Sequence, residues 1–188
     1  MKDSLLTDFV APGFDDPLGM LSACHRRIER NLATLARLQR HLAENGCDTD
    51  ARIAARNLLR YFDTAAPNHH ADEEASVFPR LQALAADLAT PLLEELRRDH
   101  DQLTLNWRKL RPLVCAIAAG QRANLPPRMV ADSIAAYEGH ILKEESDLLP
   151  FAARTFDAEA IAAIGKEMAA RRAAESATPP RRSDPALQ

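Results

Sequence analysis

Apolar residues recur at steps of three and four along four stretches of this 188-residue chain, the period of an α-helix with one buried stripe. The first stripe is Leu18, Leu21, Ile28, Leu32, Leu35, Leu38 and Leu42, and the second carries Leu58, Phe62, Ala65 and Val77. The third holds Leu93, Leu96, Leu103, Trp107, Leu110, Val114 and Ile117, and the fourth Val130, Ile134, Tyr137, Ile141 and Leu148. The punctuation agrees. Asp16-Pro17 pairs a capping acid with proline at the first helical position, and that helix stops near Asn45-Gly46. The second helix starts between Asp48 and Asp50, kinks at Pro67 and ends at Pro79. Thr90-Pro91 opens the third, which bends at Pro112 before Gly120; the fourth follows Pro126-Pro127 and ends about Pro150. A short fifth runs from Asp157 to about Arg172, weakened at Gly165. With few glycines and β-branched residues, the expected fold is all-α: an antiparallel up-down-up-down four-helix bundle with a short C-terminal fifth helix. It occupies 17–172, between an N-terminal arm at 1–16 and a disordered tail at 173–188 that is rich in Pro, Ser and Arg.

The stripes have gaps, and histidines fill them. His25 lies between Leu21 and Ile28, and His100 between Leu96 and Leu103. His69 and Glu73 stand four apart, as do His140 and Glu144, and both pairs continue into His-x-x-x-Glu-Glu-x-x-x-x-Pro, ending at Pro79 and Pro150. Residues four apart share a helix face, so each copy aims an imidazole and a carboxylate at one point. His25 and His100 lie near the starts of their helices, His69 and His140 near the ends of theirs. In an up-down-up-down bundle those positions fall within about one turn of a common level. A lone histidine on an apolar stripe is ordinarily a hydrogen-bonded core residue. Four at one depth with two buried carboxylates need a charge partner, which a metal supplies.

The expected ligand set is therefore His25, His69, Glu73, His100, His140 and Glu144. Six ligands exceed the need of one tetrahedral ion, and two symmetric carboxylates suit a pair of ions. Mixed imidazole and carboxylate ligation without thiolate makes iron the first choice, with zinc or manganese second. Among neighbours, alignment of the two prolines and the Leu58, Phe62, Ala65 stripe favour His69 over His70, which lies about 100° around the helix and is peripheral. Glu74 and Glu145 point to a solvated face. Glu29, four after His25, either joins the site or pairs with arginines, the second being favoured. His41 is a surface residue at a helix end. Trp107 and Tyr137 read as core, and Cys24 faces away from His25.

Composition sets the class. The chain is 46% apolar and 27% charged with a net charge of −3, ordinary for one soluble domain and without the basic patch that nucleic acid requires. No apolar run approaches the ~18 residues of a membrane span, and the N-terminus has no signal-peptide pattern, so a cytoplasmic protein is expected. Cys24, Cys47 and Cys115 are odd in number and widely spaced, which reads as reduced thiols. No nucleophilic triad, phosphate loop or dinucleotide fingerprint occurs.

In order, these residues resemble the hemerythrin-like family, the His-His-Glu cation-binding domain: a histidine on the first helix, His-x-x-x-Glu on the second, a histidine on the third and His-x-x-x-Glu on the fourth. The resemblance covers about Leu18 to Phe151. It implies a non-haem di-iron centre bridged by the two glutamates and an oxo or hydroxo group, which binds dioxygen, nitric oxide or peroxide. Oxygen carriers of the family place another histidine one turn after the third-helix ligand, where this chain has Thr104; reversible oxygen carriage is not expected. The resemblance also links such domains to sensing and to iron–sulfur repair. Repair members carry an added cysteine-containing N-terminal module, and no cysteine precedes Leu18 here. The expected role is binding or sensing rather than dedicated enzymology. The alternatives are an iron-dependent oxidase or peroxide- or nitric-oxide-detoxifying enzyme, an iron-responsive interaction module, and a metal-free bundle.

Overall fold

The computed structural model describes residues 12–121 and 124–177. Among them the regular structure is helical and no strand forms. Helix α1 spans Pro17–Asn45. The Asp16 carboxylate accepts from the Gly19 N–H at 3.0 Å, satisfying a donor that the helix start leaves free. The chain leaves α1 through Gly46 at φ 72°, a left-handed conformation that costs glycine little. Helix α2, Thr49–Arg60, begins in the same way, with Asp48 accepting from the Ala51 N–H at 2.9 Å.

Three prolines then do something other than end helices. A wide π turn at Tyr61–Ala65 leads into α3, Ala66–Asp72; a second at Glu73–Val77 leads into α4, Phe78–Ala118; a third at Glu144–Leu148 joins α5, Pro127–Lys143, to α6, Leu149–Thr155. Each turn closes with the N–H of the residue just before a proline reaching back five positions: Ala66 to Tyr61, Phe78 to Glu73, Leu149 to Glu144. Pro67, Pro79 and Pro150 have no N–H, and their rings crowd the carbonyl four residues back, so the preceding turn widens instead of breaking. The expected ends at Pro79 and Pro150 are thus passages through which the helix continues. The extra residue also shifts the register: Ala66 is buried where Ala65 was expected, and Ala65 is exposed.

The break between the second and third expected helices falls at Ala85, whose φ of −152° and ψ of 51° interrupt α4. The run bearing His100 therefore resumes ahead of Thr90-Pro91. Thr90 lies inside it, donating its hydroxyl to the Ala86 carbonyl at 2.7 Å and accepting from Gln82 at 2.8 Å. Helix α7, Ala158–Ala177, starts at Asp157, which caps the Ala160 N–H at 2.8 Å, and passes the expected end near Arg172. The arm at 1–11 and the tail at 178–188 lie outside the described residues.

Helices α1, α2, α4 and α5 pack on one another, α1 against α2 and α5, α4 against α2 and α5. Their apolar stripes form two cores. One gathers Ile28 to Leu42 of α1, Leu58 and Phe62, Leu103 to Ile117 of α4, and Tyr137. The other gathers Leu21, Val77, Phe78, Leu93, Leu96 and Leu148 with Ile164 and Met168 of α7. Trp107 is only half-buried, leaning on the first core. Between the two cores lie His25 of α1, His69 of α3, His100 of α4 and His140 of α5 with Glu73 and Glu144, so one polar layer separates them.

Helix α7 is fastened by charge as well as by packing. Asp72 is wholly buried and meets the guanidinium groups of Arg171 and Arg172, while Arg80 pairs with Glu167 at 2.7 Å. Gly165 is a point of close approach rather than a weak spot: a Cβ there would run into the Phe14 carbonyl.

Candidate metal centre

His25, His69, Glu73, His100, His140 and Glu144 are each no more than 3% exposed and meet in that layer. The π turns place the acids: Glu73 and Glu144 each open one, one turn past His69 and His140. Two groups of four donors result, His25 and His69 with both glutamates, and His100 and His140 with both glutamates. The carboxylates divide their oxygens between them. Glu144 Oε2 lies 3.0 Å from His25 Nε2 and 3.8 Å from His69 Nε2, while its Oε1 lies 3.0 Å from His140 Nε2 and 3.7 Å from His100 Nε2. Glu73 does likewise, Oε1 facing His69 Nε2 at 3.5 Å and Oε2 facing His100 Nε2 at 3.3 Å.

These atoms are poorly served as bare polar groups. Both oxygens of Glu73, both of Glu144 and the Nε2 atoms of His100 and His140 are buried without a properly formed hydrogen bond. That is a costly state for an interior. Donors around a transition ion with bonds of about 2.1 Å stand about 3 Å apart when adjacent and about 4.2 Å apart when opposite. The spacings of 3.0 to 3.8 Å here match that range. The cluster fits metal ions in chemistry and in dimension.

Electrostatics without metal reflect the crowding. Burial, reinforced by the Glu144 charge, raises the Glu73 carboxyl well above its ordinary range. Burial pushes Glu144 the same way, but attraction to the four imidazoles that face it, of His100, His140, His25 and His69, outweighs burial and holds Glu144 low. Burial opposes charge on His100 and His25 as well. The facing carboxylates win at both, taking His100 up to about 10 and raising His25. His69 is lowered by burial.

The second glutamate of each copy is not a bystander on a solvated face. Glu145 Oε1 reaches His25 Nδ1 at 2.6 Å, and Glu74 Oε1 reaches His100 Nδ1 at 2.5 Å. Each Glu-Glu pair thus serves both sides of an imidazole, the first acid facing Nε2 and the second gripping Nδ1 from half-exposed ground. Such a grip fixes the tautomer and ring orientation that a ligand needs. The signal was present in the sequence, because both copies repeat the pair.

His70 is the other departure. It belongs to the cluster rather than its periphery, with a ring nitrogen within 4.8 Å of ring nitrogens of His100 and His140. Burial drives its pKa well down, leaving the ring neutral. Glu29 is exposed on α1 and outside the cluster. Thr104 is exposed at the rim of a cavity that His70 lines. His41 pairs with Asp48 at 2.9 Å near the end of α1. Cys24 is buried beside Arg27, and burial raises its thiol pKa, which keeps it unreactive. No helix among the described residues is long and apolar enough to cross a membrane.

Comparison with known proteins agrees with this geometry. A family model described as the hemerythrin HHE cation binding domain matches residues 16–152. An uncharacterized protein of Haemophilus influenzae (strain ATCC 51907 / DSM 11121 / KW20 / Rd) is 31% identical over 159 residues, which cover 85% of this chain and 91% of that protein. With its matching stretch centred on the His/Glu layer, the chain belongs to the hemerythrin HHE cation-binding domain family.

Proposed function

We propose that this chain is a non-haem di-iron protein that binds or senses dioxygen, nitric oxide or peroxide. Its frame is an antiparallel four-helix bundle, and its ligands are His25, His69, Glu73, His100, His140 and Glu144. The observation that carries the reading is the division of each carboxylate: Glu73 and Glu144 turn one oxygen to the His25/His69 pair and the other to the His100/His140 pair. That is how a bridging carboxylate serves two ions. Iron held there supplies a redox-active, Lewis-acidic centre with positions left open for a small ligand. The chain's own residues hold the ions, balance their charge with two carboxylates, and keep bulk water out with the two flanking cores. A cytoplasmic setting suits three cysteines that stand as free thiols.

One observation favours a second reading, an iron-dependent oxidase or a peroxide- or nitric-oxide-detoxifying enzyme. A cavity of about 160 Å³ leads from the surface at Thr104 to His70, beside the cluster. Such a path suits repeated exchange of a small substrate. Sustained consumption of peroxide or nitric oxide by iron-loaded protein selects the enzyme; a stoichiometric, reversible spectral change selects binding or sensing.

The deciding experiment for the centre is iron analysis of aerobically purified protein with its visible spectrum. About two irons per chain and charge-transfer absorption are expected, both lost in Glu73→Ala and Glu144→Ala. Full iron content and an unchanged spectrum in both variants would overturn the bridged centre.

A further inference from the structure

The two His-x-x-x-Glu-Glu copies differ in the residue that follows their histidine. Aligned on His69 and His140, His70 corresponds to Ile141. Ile141 is a member of the apolar core, whereas His70 brings an imidazole to the polar layer. Its ring stacks on His100, 4.1 Å between centroids and 12° from parallel, and meets His140 edge-on at 5.8 Å. A ring nitrogen from each of the three lies within 4.8 Å of the others, the same closeness that defines the two glutamate-sharing groups.

The Nε2 atom of His70 is buried and has no hydrogen-bond partner. A buried ring nitrogen left so costs free energy comparable to a lost hydrogen bond, and nothing in the apolar cores requires it. The atom is therefore placed for a group that the polypeptide does not itself provide. His70 also lines a cavity of about 160 Å³ with Thr104, Trp107 and Tyr137.

We infer that His70 is a fifth imidazole ligand, binding through Nε2 the ion held by His100 and His140. This rests on the proposed metal centre and deepens it. The two ions are then unequal: one has two imidazoles, from His25 and His69, and the other has three. The ion beside His25 and His69 keeps the more open coordination sphere, and the likeness of the two copies ends where Ile141 stands in place of the imidazole.

Cobalt(II) is the probe, since its visible absorption responds to ligand number and type and its binding steps can be followed without oxygen. Wild type, His70→Ala, His70→Gln and His69→Ala are titrated anaerobically, with metal per chain, stepwise affinity by chelator competition, visible absorption and circular dichroism recorded. Wild type is expected to take up cobalt in two steps. In His70→Ala one step is weakened about tenfold or more and its absorption shifts, and free imidazole restores both by filling the vacated space. His69→Ala weakens the other step. Two steps of wild-type affinity and absorption in His70→Ala overturn the inference while leaving the metal centre standing. If the alanine variant folds poorly, His70→Gln preserves bulk and polarity, and wild-type cobalt binding in it is equally fatal. Failure of wild type to bind cobalt or iron removes the metal centre, and this inference with it.

Discussion

The Glu145 carboxylate lies 2.6 Å from Nδ1 of His25 on the neighbouring helix α1. Its counterpart Glu74 holds His100 Nδ1 at 2.5 Å. Both acids sit at the opposite ring nitrogen from the oxygens of Glu144 and Glu73, and they act through the rings they grip. Glu145→Ala and Glu74→Ala should each weaken metal binding by about 10- to 100-fold with the helix content unchanged, because the partner imidazole loses its fixed tautomer and orientation. Glutamine at either position should fall between, since it keeps an acceptor without the charge. Chelator competition measures this, and an affinity within twofold of wild type in both alanine variants would rule the grip out.

Much of the centre could be read from helical period alone. His25 and His100 fall in seam gaps and the His-x-x-x-Glu pairs repeat, so the six clustered side chains and their common level follow from counting residues. What escaped the count arises from geometry that a uniform 3.6-residue period does not contain. The π turns before Pro67, Pro79 and Pro150 insert a residue and shift the faces that follow, which moves burial from Ala65 to Ala66 and carries the helices past their expected ends. His70 was set aside by 100° of rotation, yet a long imidazole at the edge of a stripe still reaches the layer. Asp72 passed unnoticed because its partners, Arg171 and Arg172, lie about a hundred residues away.

Loading the site must expel protons. Without metal, the neighbouring carboxylates keep His100 protonated up to about 10 and raise His25, while burial and Glu144 keep Glu73 protonated well above the carboxylate range. A metal binds only the deprotonated forms, so affinity should climb as pH rises from 6 to 8. The sign for the metal-free fold is opposite. A pKa raised on folding contributes stability that is full below the unfolded value and lost as pH rises through the folded one, about 10 for His100. Calorimetry in two buffers of different ionisation enthalpy should show net proton release. Equal heats in both buffers, with affinity flat over that pH interval, would contradict the assignment.

Asp72 immediately precedes Glu73, and its carboxylate secures α7 through Arg171 and Arg172. Asp72→Ala removes charge-assisted hydrogen bonds from a fully buried group. The two arginines retain access to water, which limits the loss to about 2–3 kcal/mol. Urea unfolding should report that loss. Cleavage by a protease specific for arginine should speed up within α7 before the bundle unfolds. Unchanged stability together with unchanged proteolysis would mean that apolar packing by Ile164 and Met168 holds the helix unaided.

Glycine at 165 sets two effects against each other. Alanine is the better helix former by about 0.8–1 kcal/mol, which alone predicts that Gly165→Ala stabilises α7. A Cβ at that position, however, would collide with the Phe14 carbonyl, backbone that cannot yield as a flexible side-chain end would, and forced overpacking of this kind costs about 1–3 kcal/mol. The steric cost wins on magnitude, so the variant should unfold at lower urea concentration than wild type. Gly139, in α5 beside His140, supplies the opposite case: a Cβ there meets nothing within 4 Å, and Gly139→Ala should stabilise by about 0.5–1 kcal/mol. Both are glycines inside helices, so opposite signs in one urea series isolate the contact from the propensity. Stabilisation by both substitutions would show that the segment around Phe14 does not press on α7 in solution.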